Sequence, residues 1–95
     1  MSAIRNCKYK DYGLKSTEIF FILNYCQSEQ ADDELIHQCS TRVNQDLAEY
    51  LYKSVKKKKS YERLGYVPIN KCDFYAYRRK LLALLKVELV YRGEM

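Results

Sequence analysis

The chain has 95 residues, of which 47% are hydrophobic, 31% charged and 14% aromatic, the make-up of one small globular domain, because chains divide only well beyond about 150 residues. That length excludes a two-domain enzyme and a core large enough to surround a bulky cofactor. Three glycines and one proline are too few turn-formers for a barrel or sandwich, so the expected class is all-α, a compact bundle of about five helices.

The 17 Lys and Arg outnumber 12 Asp and Glu, for a net charge of +5, but their placement says more than the total. Residues 1–50 hold five basic and eight acidic side chains, and residues 51–95 hold twelve and four. Such polarity suggests one face for a polyanion and another for a protein contact, either a homodimer or a different partner, through the acidic half.

Cys7, Cys26, Cys39 and Cys72 stand 19, 13 and 33 positions apart, with no CxxC pair to support a metal site or a disulfide framework. Free thiols in a reducing cytoplasm are expected, with no cofactor and no metal. The apolar runs Ile19–Leu23 and Leu81–Leu85 are too short to cross a bilayer, so no membrane partner is expected.

In chain order, residues 1–13 lack periodicity and read as an N-terminal arm. Residues 14–59 read as an acidic helical scaffold. Its first helix, Thr17 to Cys26, is capped by Ser16 and is apolar over much of its circumference, as a central helix would be. A second helix starts at Asp32 or Asp33, carries Leu35, Ile36 and Cys39, and ends near Thr41. Asn44 caps a third, in which Leu47, Ala48, Leu51 and Val55 form one apolar stripe. Lys53 and Lys56–Lys59 follow at its C-terminal end, where the helix dipole favours cations.

Residues 60–92 carry the most specific pattern. Ser60 is placed to cap a short helix over Tyr61–Tyr66, which Val67-Pro68 cannot continue. Asn70, with Asp73 three positions on, then caps a long helix to about Tyr91, and Gly93 offers its stop. On a helical wheel Phe74, Tyr77, Leu81, Leu84 and Leu85 form the core side, with Leu82 and Leu89 on its shoulder. Cys72, Tyr75, Ala76, Arg79 and Ala83 form the outward side, with Lys71, Arg78, Arg79 and Lys80 on or beside it. A helix of this kind fits a major groove, provided its outward side is free.

The run Ser60-Tyr61-Glu62-Arg63-Leu64-Gly65 through Ile69-Asn70-Lys71-Cys72-Asp73-Phe74-Tyr75-Ala76-Tyr77-Arg78-Arg79-Lys80 resembles the helix-turn-helix of sigma-factor region 4 and of small phage-encoded late-transcription regulators. There a helix of the type SYEELA precedes a capped helix of the type S-x-x-T-V/F-Y-x-x-R. The resemblance implies that Leu64 and Phe74 anchor the core and that Gly65 sits where two helices cross. It also implies that Lys71–Arg79 form the recognition surface.

The expected function is therefore a small cytoplasmic DNA-binding regulator of phage type that places helix 70–91 in the major groove of double-stranded DNA. Lys71, Tyr75 and Arg79 are the candidate base contacts. Lys53, Lys56, Lys57, Lys58, Lys59, Arg63, Arg78 and Lys80 are the candidate phosphate contacts. The alternative is a helical interaction module, an inhibitor or adaptor that does not read DNA. An enzyme is not expected, since one histidine and no phosphate-cradling loop leave little from which to assemble an active site.

Overall fold

The computed structural model describes residues 13–95, so the expected arm lies outside the described residues except for Gly13, as does Cys7. Four α-helices follow in order: α1 (Ser16–Gln27), α2 (Asp33–Val43), α3 (Ala48–Lys56) and α4 (Lys71–Tyr91). Single 3-10 turns at Gln45–Leu47 and Tyr61–Leu64 complete the fold, and no strand occurs among the described residues.

Local chemistry sets most of the boundaries. The Asp32 carboxylate accepts the Leu35 N–H at 3.1 Å and starts α2. Asn44 Oδ1 accepts the Asp46 and Leu47 N–H groups, opening the turn that leads into α3. Asn70 Oδ1 takes the Asp73 N–H at 2.9 Å, satisfying one of the orphan donors at the start of α4. At the far end Gly93, at φ +77°, brings the Glu94 N–H back to the Leu89 carbonyl and its own N–H to Val90, a Schellman stop.

The start of α1 differs from expectation. Ser16 is already helical and Lys15 holds the cap position, where the Glu18 carboxylate accepts the Lys15 backbone N–H at 2.9 Å. The expected helix over residues 61–66 is also corrected. It is one 3-10 turn ending at Leu64, because Gly65 takes φ +79° and the chain leaves the helical region there. A Cβ added at Gly65 would meet nothing within 4 Å, so this glycine serves the turn and not a close helix crossing.

The interior is built around α4. Phe74, Leu81, Leu82, Leu85 and Leu89 have no exposed surface and meet Ile22 and Cys26 of α1, Leu35, Ile36, Cys39 and Val43 of α2, and Leu51 and Val55 of α3 in one cluster. Tyr77 and Leu84, expected at its centre, are only half-buried, and Leu82 and Leu89 replace them. Three helices converge on α4, which rotates and widens the buried sector. α1 is correspondingly less central than its composition suggests, with only Ile22 and Cys26 fully buried and Phe20 and Phe21 exposed.

Ion pairs tie the acidic half of the chain to the basic half. Arg92 meets Asp32 at 2.9 Å, Lys56 meets Asp33 at 3.1 Å, and Lys86 meets Glu18 at 3.1 Å while donating to the Gly13 carbonyl. The Arg92 guanidinium holds the Asp32 carboxyl below its ordinary 3.8. The Lys15 N–H, followed by Lys86, does the same for Glu18. Burial pushes the Cys26 thiol up to about 12 and raises Cys39, so both are inert thiols inside the core, whereas Cys72 is exposed.

Two measurements check this account. Replacing the α4 cap, Asn70→Ala, is expected to lower unfolding free energy in urea by about 1 kcal/mol. Because Asp32 and Glu18 have depressed folded-state values, their contribution is complete above the unfolded carboxylate values and is lost as pH falls through the folded ones. The midpoint of thermal unfolding is therefore expected to drop on acidification below pH about 4, and less steeply in Asp32→Asn.

Candidate functional site

Where α3 ends, the Lys57 N–H closes on the Lys53 carbonyl, and Lys58 then adopts φ +60°. Among the described residues it is the one non-glycine in the left-handed region, which costs an L-residue with a Cβ roughly 1–2 kcal/mol. The chain turns back there and runs beside the first turns of α4. The Tyr61 N–H donates to the Tyr75 hydroxyl at 3.2 Å, the Tyr61 hydroxyl donates to the Ile69 carbonyl, and the Tyr61 and Phe74 rings lie 5.7 Å apart.

This reversal forms a cleft of about 220 Å³ lined by Ser54, Lys58, Lys59, Ser60, Tyr75 and Arg78. Among the described residues, three cations and three hydroxyl-bearing side chains line it, and no carboxylate does. Arg78 follows Phe74 by one helical turn and so projects toward the core side, not the outward side expected for it. It reaches α3, where its Nε donates to Ser54 Oγ at 2.8 Å. Ser54 is 2% exposed, and its bond to Arg78 fixes the guanidinium at the floor of the cleft. Such a set of donors suits an oxyanion, with Arg offering a planar fork and the lysines point charges.

The structure brings together four of the residues named from sequence: Lys58, Lys59, Tyr75 and Arg78. Lys53, Lys57 and Arg63 are exposed on the flanking segments. Lys56 turns the other way, to Asp33 and the Ser28 carbonyl, with 20% of its side chain exposed. Lys80 lies on a separate groove of about 540 Å³ along α4, with Ala83, Leu84, Lys86, Val87 and Val90.

Of the candidate base contacts, Lys71 is exposed and paired with Glu62 at 2.7 Å, and this pair holds the Glu62 carboxyl down and the Lys71 ammonium up. Tyr75 is half-buried with its hydroxyl accepting from Tyr61, and Arg79 is half-buried and engaged. Ala76, expected to face outward, has no exposed surface. The middle of the outward side of α4 is thus covered at Tyr75, Ala76 and Arg79, with the segment after Lys59 packing against Tyr75, and Lys71, Cys72 and Lys80 are its exposed positions.

Ser54 and Ser60 are the lining residues that sequence reasoning did not assign to a site. Ser54 had a legible signal: it stands three residues after Leu51, on the apolar side of α3, where a hydroxyl needs a partner.

The loop geometry is open to a stability test. Lys58→Gly relieves the left-handed strain and adds backbone freedom of similar size, so unfolding free energy is expected to stay within about 1 kcal/mol of the parent. Lys58→Val, β-branched at positive φ, is expected to cost about 1–3 kcal/mol. Equal stability of the two variants in urea would mean that the chain does not reverse at Lys58.

No protein family, curated protein or solved structure was found to match this chain.

Proposed function

We propose that this protein binds double-stranded DNA, holding the phosphate backbone in the cleft between α3 and α4 and bringing the exposed N-terminal end of α4 to the major groove, in the manner of a helix-turn-helix regulator. The observation that carries this reading is the convergence of Lys58, Lys59 and Arg78 with Ser54, Ser60 and Tyr75 in a cleft that no carboxylate lines among the described residues. Phosphate contacts of this kind fix a protein on the duplex without reading sequence.

The surrounding surface supports the same use. Lys53, Lys57 and Arg63 are exposed and extend the positive field on either side of the cleft. Lys71, at the first turn of α4, is the side chain best placed to reach a base edge. Its pairing with Glu62 is exposed on both sides, 57% and 59%, and solvent-screened pairs of this kind exchange readily for a phosphate or a guanine. Of the two helices of that motif the fold has α4, while Tyr61–Leu64 is a single 3-10 turn in place of the first, so the reading rests on the cleft and on the start of α4.

A second reading, an interaction module that does not touch DNA, draws on the apolar groove beside Val87 and Val90, which are 62% and 51% exposed.

Salt titration separates the two. With six phosphates neutralised by Lys53, Lys57, Lys58, Lys59, Arg63 and Arg78, affinity for a random duplex is expected to fall by roughly three decades between 50 and 200 mM salt. Changing Lys57, Lys58 and Lys59 together to alanine is expected to reduce the slope by about three. In a selection from a random duplex pool, Lys71→Ala is expected to relax the preferred site without moving the slope. A duplex that remains free at low salt would sink the DNA reading and favour the interaction module.

A further inference from the structure

The cationic cleft has a neighbour of different chemistry. Phe20, Leu23, Asn24 and Gln27 of α1 line a second cavity of about 120 Å³, and the residue that closes it is again Lys58. Lys58 therefore stands between two adjoining cavities. One carries Lys59, Arg78 and hydroxyls; the other carries an aromatic ring and two carboxamides.

Phe20, Asn24 and Gln27 recur at spacings of four and three, so they lie along one side of α1, while Ile22 and Cys26 face the interior. Phe20 is 71% exposed. A lone exposed phenylalanine carries little information, but this one lies beside two side chains that each offer a donor and an acceptor, and beside a cation held in a strained backbone conformation. An aromatic face next to a positive groove is the arrangement that receives a base and its phosphate in single-strand recognition. Carboxamides match the donor and acceptor pattern of base edges. A base stacked inside a duplex cannot offer its face to Phe20, so the base must be unpaired.

We infer that the two cavities together form a site for one unpaired nucleotide, its base against Phe20, Asn24 and Gln27 and its phosphate among Lys58, Lys59 and Arg78. This rests on the DNA-binding reading and deepens it: the preferred ligand is a duplex with a single-stranded extension, and α1, from the acidic half of the chain, contributes half of the site. Lys58 links the two parts, because it lines both.

The test uses the full chain and fluorescence anisotropy at low salt, with a blunt duplex and with the same duplex bearing a short overhang at its 5′ or its 3′ end. One base of each overhang is a fluorescent purine analogue. The parent protein is expected to bind one of the overhang duplexes about tenfold more tightly than the blunt one, and to change the analogue's emission as its stacking changes. Phe20→Ala is expected to abolish both the preference and the emission change while leaving blunt-duplex affinity and its salt slope intact. Phe20→Leu, apolar but not aromatic, is expected to behave like Phe20→Ala.

Equal affinity for blunt and overhang duplexes would overturn the nucleotide site and leave the DNA reading standing. So would a preference that survives Phe20→Ala, or one that Phe20→Leu retains in full. Failure of every duplex to bind at low salt would overturn both.

Discussion

The contact between Arg78 and Ser54 is the constraint on which the site depends. Arg78 occupies a position on the core side of α4, one turn after Phe74 and one turn before Leu82, where a hydrophobic residue would ordinarily stand. Its stem lies with the apolar stripe, and its head is kept at the edge by the Ser54 hydroxyl at 2.8 Å. Ser54 needs Arg78 equally, since a buried hydroxyl without a partner is costly. The pair joins the end of α3 to the second turn of α4 and leaves a guanidinium at the base of a cleft instead of out in solvent. A guanidinium held in one orientation loses little freedom when an oxyanion arrives, which is the general advantage of a preorganised site.

Two groups of basic side chains stand apart in the fold. Lys56, Lys86 and Arg92 are engaged by Asp33, Glu18 and Asp32 and hold the acidic half of the chain against the basic half. The polarity that suggested an acidic face free for a second protein is thus partly used within the molecule. Lys53, Lys57, Lys58, Lys59 and Arg63 form the second group, exposed and close together in sequence. Each of the three ion pairs is neutral as a unit, so the net charge of +5 is carried by the remaining side chains, and it is the local field near the cleft that attracts a polyanion.

How much of this was legible in the sequence follows from how far each signal reaches. Caps act within three residues, so Asp32, Asn44 and Asn70, and the stop at Gly93, were readable where they stand. Periodicity gave the helices but not their neighbours. It put Phe74, Leu81 and Leu85 inside, yet placed Tyr77 and Leu84 too deep and Leu82 and Leu89 too shallow, because the wheel does not reveal that three helices press on α4 at once. The same gap hid the role of Arg78, whose partner lies 24 residues away. Lys56 is adjacent in the chain to Lys57–Lys59, but one step along a helix changes the side faced by about a third of a turn. That step sends Lys56 to Asp33.

Phe20 shows the other kind of limit. In the sequence, Ile19-Phe20-Phe21-Ile22-Leu23 is an apolar block, and a block implies burial all round. The fold buries only Ile22 of the five completely, because α1 meets α3 and α4 along one side. The surplus hydrophobicity is left facing outward, beside the reversal at Lys58. Burial alone does not explain an exposed ring in a helix that had solvent-facing positions available for polar residues, as Asn24 and Gln27 on the same side demonstrate. One aromatic ring and two amides lie along that side, with Lys58 at its end, and this juxtaposition is what the proposed nucleotide site rests on. A nucleotide combines a flat face, polar edges and a negative tether, which is why the inference rests on it, and Lys58, Lys59 and Arg78 of the adjoining cleft are the cations available to its phosphate.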